Sequence, residues 1–117
     1  MESILTSIKK LLGIGEECDD FDSEIIIHIN SVFSDLNGIG VGPSEGFSIE
    51  DDSTTWDAFL SMDNPQKFNS VKTYMYLKVR LVFDPPQSST VIENFNKKVD
   101  ELTWRLNVTA ENTSVQS

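Results

Sequence analysis

What this sequence lacks excludes a good deal. It has one cysteine, Cys18, so no disulfide can form within the chain, and a reducing compartment is its natural setting. The acids on both sides of it, Glu16, Glu17, Asp19 and Asp20, disfavour a thiolate and leave it an incidental thiol. Its one histidine, His28, lies inside Ile25-Ile26-Ile27-His28-Ile29, where it reads as a helix residue and not as the base of a nucleophilic pair. No apolar run approaches the ~20 residues of a membrane span. Met1 to Leu12 carries its lysines after the apolar positions and lacks a small-residue cleavage site, so the expectation is a protein made in the cytoplasm. The glycosylation sequons at Asn107 and Asn112 then carry no meaning.

Positive charge is the most uneven absence. Between Leu11 and Gln66 there is no Lys or Arg, while Lys67, Lys72, Lys78, Arg80, Lys97, Lys98 and Arg105 crowd the later half. With 19 acidic against 9 basic side chains the formal net charge is -10, which argues against a protein that grips duplex DNA through its phosphates. Such asymmetry fits contact between copies, the acidic surface of one meeting the basic surface of the next, and it equally fits a solvated acidic face that maintains solubility. The 117 residues suffice for one domain, expected over residues 1–108, with a flexible tail at 109–117. An apolar fraction of 38% suits a small core.

What is present is helical periodicity. Ile4, Leu5, Ile8, Leu11 and Leu12 share one face of a short helix that stops at Gly13. A second helix is expected from Ser23 to about Asn37, capped by Asp22 and stapled by Phe21 against Ile26, with Ile25, Ile29, Val32, Phe33 and Leu36 on its apolar stripe and Gly38 closing it. Gly38-Ile39-Gly40-Val41-Gly42-Pro43 is too glycine-rich for a regular element, and Gly46 to Ile49 could be a short extended piece. Ser53 is a plausible cap for a helical turn through Trp56, Phe59 and Leu60. Asn64-Pro65 opens a long helix through Phe68, Val71, Met75, Val79 and Val82, which Asp84-Pro85-Pro86 ends. Thr90 with Glu93 resembles a capping box for the last helix, marked by Ile92, Phe95, Val99, Leu102 and Leu106. The fold expected is mainly α, a small bundle of about four to five helices with a long glycine-containing loop.

No constellation in this pattern carries chemistry. Asp20, Asp22 and Glu24 alternate like the first half of an EF-hand loop, but the sixth position is Ile25 and the twelfth Ser31, so the motif fails. The Glu50-Asp51-Asp52 cluster has no His or Cys beside it. Gly38, Gly40 and Gly42 lack the strand and helix that a phosphate-binding loop needs, and Pro43 follows them, so they form a turn. Trp56, Phe59, Tyr74, Tyr76, Phe83 and Trp104 stand at helical spacing and are expected mostly in the core. No catalytic, cofactor-binding or metal-binding residue is expected.

The order of several segments resembles the head-tail connector, or adaptor, proteins of long-tailed bacteriophages. They are Leu11-Leu12-Gly13-Ile14, Phe21-Asp22-Ser23-Glu24-Ile25, the Leu36 to Pro43 run, Gly46-Phe47-Ser48-Ile49 and the Tyr74 to Pro86 run, together spanning roughly residues 3–107. The resemblance implies a non-enzymatic subunit of a homo-oligomeric ring of about twelve copies in the virion neck, which docks below the portal protein, extends the DNA channel and meets the next neck or tail-completion protein. Double-stranded DNA would pass through it without specific binding, and an acidic wall would repel the phosphates and let it slide. The expected portal contacts are Arg105, Asn107, Val108, Thr109 and Glu111. The loop residues Val41, Pro43, Phe47 and Ile49 are expected to meet a neighbour or the neck, and Glu50, Asp51 and Asp52 to face the channel. A stopper or tail-completion protein is the neighbouring alternative. An acidic DNA mimic is a third, although Lys and Arg interrupt the continuous carboxylate array it would need.

Overall fold

A computed structural model describes residues 2–116, with side chains for residues 2–108. Five helices follow in order among the described residues: α1 (Ile4–Leu11), α2 (Asp22–Gly38), α3 (Trp56–Phe59), α4 (Pro65–Phe83) and α5 (Ser89–Gln116). No strand is present among them, only an isolated bridge between Ser3 and Thr55.

Local chemistry sets most helix ends. Ser3 caps α1 by accepting a hydrogen bond from the Thr6 amide at 3.2 Å. The helix stops at Gly13 with the Ile14 amide on the Lys9 carbonyl and the Gly13 amide on the Lys10 carbonyl. The same paired bonds end α2, where the Val41 amide reaches the Leu36 carbonyl at 2.9 Å and the Gly40 amide reaches Asn37 at 3.1 Å. Gly40 has φ +84°, which a side chain would strain, so the turn falls two residues later than Gly38. Asn64 and Pro65 open α4 as the sequence implies, the Asn64 side chain accepting from the Lys67 amide at 3.1 Å.

Three expected caps differ. Asp22 does not cap α2, because its carboxylate is engaged by Lys9 instead. Phe21 lies edge-on to Phe83, with ring centroids 5.6 Å apart, and remains 46% exposed. The Ser53 hydroxyl turns back to Asp51, and Thr55 precedes α3. Ser88, two residues ahead of the expected Thr90, accepts from the Val91 amide at 3.4 Å, and α5 starts at Ser89.

α4 is the central helix, packed on α2 on one side and α5 on the other, with α1 against both α2 and α4. The core joins Ile4, Leu5 and Ile8 to Ile25, Ile29, Phe33 and Leu36, to Trp56, and to Val71, Met75 and Val79, and it is closed by Leu102 and Leu106. Each such side chain, fully buried, contributes roughly 1.5–3 kcal/mol. Trp56 also carries the long-range polar link of the core: its Nε1 donates to the buried Ser7 hydroxyl at 2.8 Å. Val82 and Trp104 depart from the expected core. They are 61% and 69% exposed, since α4 reaches its end at Phe83 and Trp104 stands on the side of α5 away from Leu102 and Leu106.

The loop from Ile39 to Thr55 is pinned without a strand. Asn30 acts as a surrogate peptide for Ile49, accepting from its amide at 2.8 Å and donating to its carbonyl at 3.0 Å. Residues 109–117, expected as a flexible tail, lie outside the described side chains, although the α5 backbone is assigned through Gln116.

Candidate docking surfaces

Lys9 draws two loops into place. Its side chain is almost wholly buried, and its Nζ stands 2.9 Å from Asp22 Oδ1 and 3.3 Å from the Glu16 carbonyl oxygen, tying the end of α1 to the start of α2. Folded this way, the α1–α2 loop faces the segment ahead of α3 across an open recess of about 410 Å³. Glu16, Glu17, Asp19, Asp22, Glu50, Asp51 and Asp52 line it together with Leu5, Ser23 and Ile26. Seven carboxylates therefore share one concavity, two of them paired at its edge, Asp22 with Lys9 and Glu16 with Lys10 at 3.3 Å.

Glu50, Asp51 and Asp52, all exposed, form one side of it. Asp51 Oδ1 accepts from the Ser53 amide at 2.9 Å and from the Ser53 hydroxyl, making a tight turn. These bonds from Ser53 hold the Asp51 carboxyl below its ordinary range. The turn is anchored on one flank by the Asn30 bracket on Ile49 and on the other by the Ile4 amide, which donates to the Thr54 carbonyl at 3.0 Å. The tip is thus rigid and exposed, and no ion pair reaches its three carboxylates among the described residues.

A second concavity, a groove of about 350 Å³, lies between the start of α4 and α5. Asn64, Gln66, Lys67, Asn69, Ser70, Arg105 and Leu106 line it among the described residues, giving two cations and three carboxamides. Arg105 also pairs with Glu101 on the same helix.

The residues expected at contacts divide sharply. Arg105 lines the groove, but the Asn107 amide is engaged within the subunit, donating to the Ile39 carbonyl at 3.3 Å. Val108 is half-buried, and the side chains of Thr109 and Glu111 lie outside the described residues. Val41 and Ile49 are 1% and 2% exposed and belong to the subunit's own core, so they offer a neighbour no surface. Phe47 packs on Phe33 and Phe59 with centroids 5.0 and 5.1 Å away, and Pro43 is half-buried with its carbonyl held by Asn37. Glu50, Asp51 and Asp52 do come together with other acids, as described above. His28 is half-buried with Nε2 3.8 Å from Glu24. No group of ligands suited to a metal occurs among the described residues.

Sequence reasoning missed Lys9, which looks like a surface residue at the polar end of α1. Trp104, expected in the core, is exposed because it falls two residues from both Leu102 and Leu106, on the opposite side of α5. The Asp22 acid three residues before Ile25 was visible, but only the fold brings it to Lys9.

A compact set of helices with an acidic recess and a separate groove lined by Lys67 and Arg105 makes a small, mainly helical domain. The chain belongs to the phage connector protein family, whose model matches residues 4–113 and so covers nearly the whole sequence. Neither a curated protein nor a solved structure matches it at a significant level. Membership gives the chain a head-tail connector role in general outline. No helix of the described residues is long and apolar enough to cross a membrane.

Proposed function

We propose that this chain is a structural, non-enzymatic subunit of the virion neck: copies of it form a ring that docks below the portal protein, extends the DNA channel and joins the capsid to the next neck or tail component. The family match over residues 4–113 carries the reading. The distribution of charge supports it. Residues 1–66 hold 14 acidic and 2 basic side chains, and residues 67–117 hold 5 acidic and 7 basic ones. Closed into a ring, a strongly negative body gives its channel a wall that repels phosphates at distances within about a Debye length, so DNA slides instead of sticking.

The end of α5 supplies the portal contact in this reading. Arg105 and Asn107 are engaged within the subunit, which leaves Val108 and the positions after it, Thr109 and Glu111 among them, as the contact segment. A density map of the virion neck tests the assignment directly. It should show this chain touching the portal, and a chain truncated after Asn107 should fail to bind purified portal while keeping its helical circular dichroism. A map that places the chain one layer further from the capsid makes it a stopper or tail-completion protein, and the portal assignment is lost.

A further inference from the structure

One large aromatic ring is left uncovered on the outside of α5. Trp104 is 69% exposed and makes no hydrogen bond or ring contact among the described residues. The rotation of α5 is fixed from its inner side, where Leu102 and Leu106 are buried and the Asn107 amide donates to the Ile39 carbonyl. Trp104 therefore faces away from the body, with Asp100 one helical turn before it and Val108 one turn after it on the same outward side. Asp100 is exposed and enters no ion pair among the described residues. The first turn of α4 lies beside Leu106, and the α5 backbone runs roughly 15 Å past that point to Gln116. The uncovered indole is a large apolar surface whose burial is favourable, with one N–H that needs an acceptor once it is buried.

We infer that Trp104 is the anchor by which α5 docks on the portal, its indole entering an apolar pocket of that partner whose edge carries a cationic side chain for Asp100. The inference rests on the portal reading above and names the residue that supplies most of the affinity. Continuity selects this occupant: Val108, where the proposed portal segment begins, follows Trp104 by one turn on the same side, so the two belong to one surface. Charge selects against a second copy. Residues 1–66 hold 14 acidic and 2 basic side chains, and most surfaces they offer would set like charge against Asp100. Preorganisation adds to the case, since the ring stands on a helix whose rotation is already fixed and little ordering entropy is lost when it docks. Tryptophan is also among the side chains that most often dominate the energy of an interface.

The two tryptophans make the test direct. The full chain is labelled with hydroxytryptophan, which is excited to the red of the portal's own tryptophans, then titrated with purified portal and probed with acrylamide. Trp56, wholly buried, gives a constant protected signal that Trp104→Phe isolates, while Trp104 should be quenched freely in the chain alone and become protected on the portal. Trp104→Ala should weaken portal binding about thirtyfold or more, and Trp104→Phe by less because a ring remains. Asp100→Lys should weaken it about threefold or more, with the difference shrinking as salt is added. All three variants should keep the circular dichroism and urea midpoint of wild type, because both side chains are exposed. Trp104→Ala that binds like wild type, a bound chain whose Trp104 stays open to acrylamide, or Asp100→Lys of unchanged affinity would each overturn the inference. Protection of Trp104 in the chain alone as its concentration rises assigns the ring to a second copy and overturns it too. Wild type that fails to bind portal sinks the portal reading itself, whereas wild type that binds with Trp104 indifferent sinks the anchor alone.

Discussion

Removal of either partner from the Lys9–Asp22 pair should destabilise the protein, but by unequal amounts. Lys9 is 4% exposed while the Asp22 side chain is 28% exposed, so the two charges differ in their access to water. Asp22→Ala leaves a buried ammonium with only the Glu16 carbonyl for company, a situation that costs about 3 kcal/mol. Lys9→Met keeps the packed aliphatic stem and removes the buried charge, and the Asp22 carboxylate left behind, whose Oδ1 is buried, keeps the rest of its side chain 28% exposed to water, for a loss of about 1 kcal/mol. The double variant, with neither charge, should lie close to Lys9→Met, because the penalty in Asp22→Ala belongs to the stranded lysine. Urea unfolding followed by far-ultraviolet circular dichroism, at low micromolar protein so that association does not contribute, measures all three. With a slope of about 2 kcal/mol per molar urea, the Asp22→Ala midpoint should fall by about 1.5 M and the Lys9→Met midpoint by about 0.5 M. An Asp22→Ala midpoint within about 0.25 M of wild type, or a larger fall in Lys9→Met, would refute the claim that burial of the cation dominates this pair.

Two glycines a few residues apart should respond with opposite signs. Gly42 has φ +90°, and a Cβ there would stand 2.4 Å from the Phe59 ring, so Gly42→Ala should cost about 2 kcal/mol or more, whereas Gly38, helical and in open space, should gain about 0.5–1 kcal/mol as alanine; thermal melts compare them. Asn30→Ala removes both bonds to Ile49 and should lose about 1–3 kcal/mol, with hydrogen exchange accelerated first at the Ile49 amide. Burial pulls the Lys78 ammonium down, but the bonds to Asp35 and Tyr74 outweigh it and hold it above 10.5. A cation raised on folding gives stability that is complete below its unfolded value and lost as pH climbs through the folded one, so the urea midpoint should decline above about pH 10.5, and less so in Asp35→Asn.

The fold was legible in the sequence wherever one local rule acted without competition. Asn64-Pro65 needs only its own chemistry to start α4, and Asp84-Pro85-Pro86 only its own to end it. The stripe Ile25, Ile29, Val32, Phe33 and Leu36 has one possible partner face, and it is buried as its period implies. Misreadings arose where a residue had two possible partners. Asp22 can cap a helix or pair with a cation, and a buried Lys9 Nζ at 2.9 Å is worth more to the fold than one satisfied amide. Ser88 and Thr90 are both acceptable caps, and the choice between them depends on how the turn from Pro86 delivers the chain.

The surfaces were harder to read than the core for a different reason. A core position is selected by one period within one helix, but a docking surface is assembled from segments far apart in sequence. Glu16 and Glu50 share a recess only because Lys9 folds back the first loop and Asn30 pins the second. Val41 and Ile49 looked like loop residues free to meet a neighbour because they lie in the Gly38 to Ile49 loop, outside any helical period. Burial shows instead that each is the apolar stitch that secures its loop, Val41 below the Gly40 turn and Ile49 inside the Asn30 bracket.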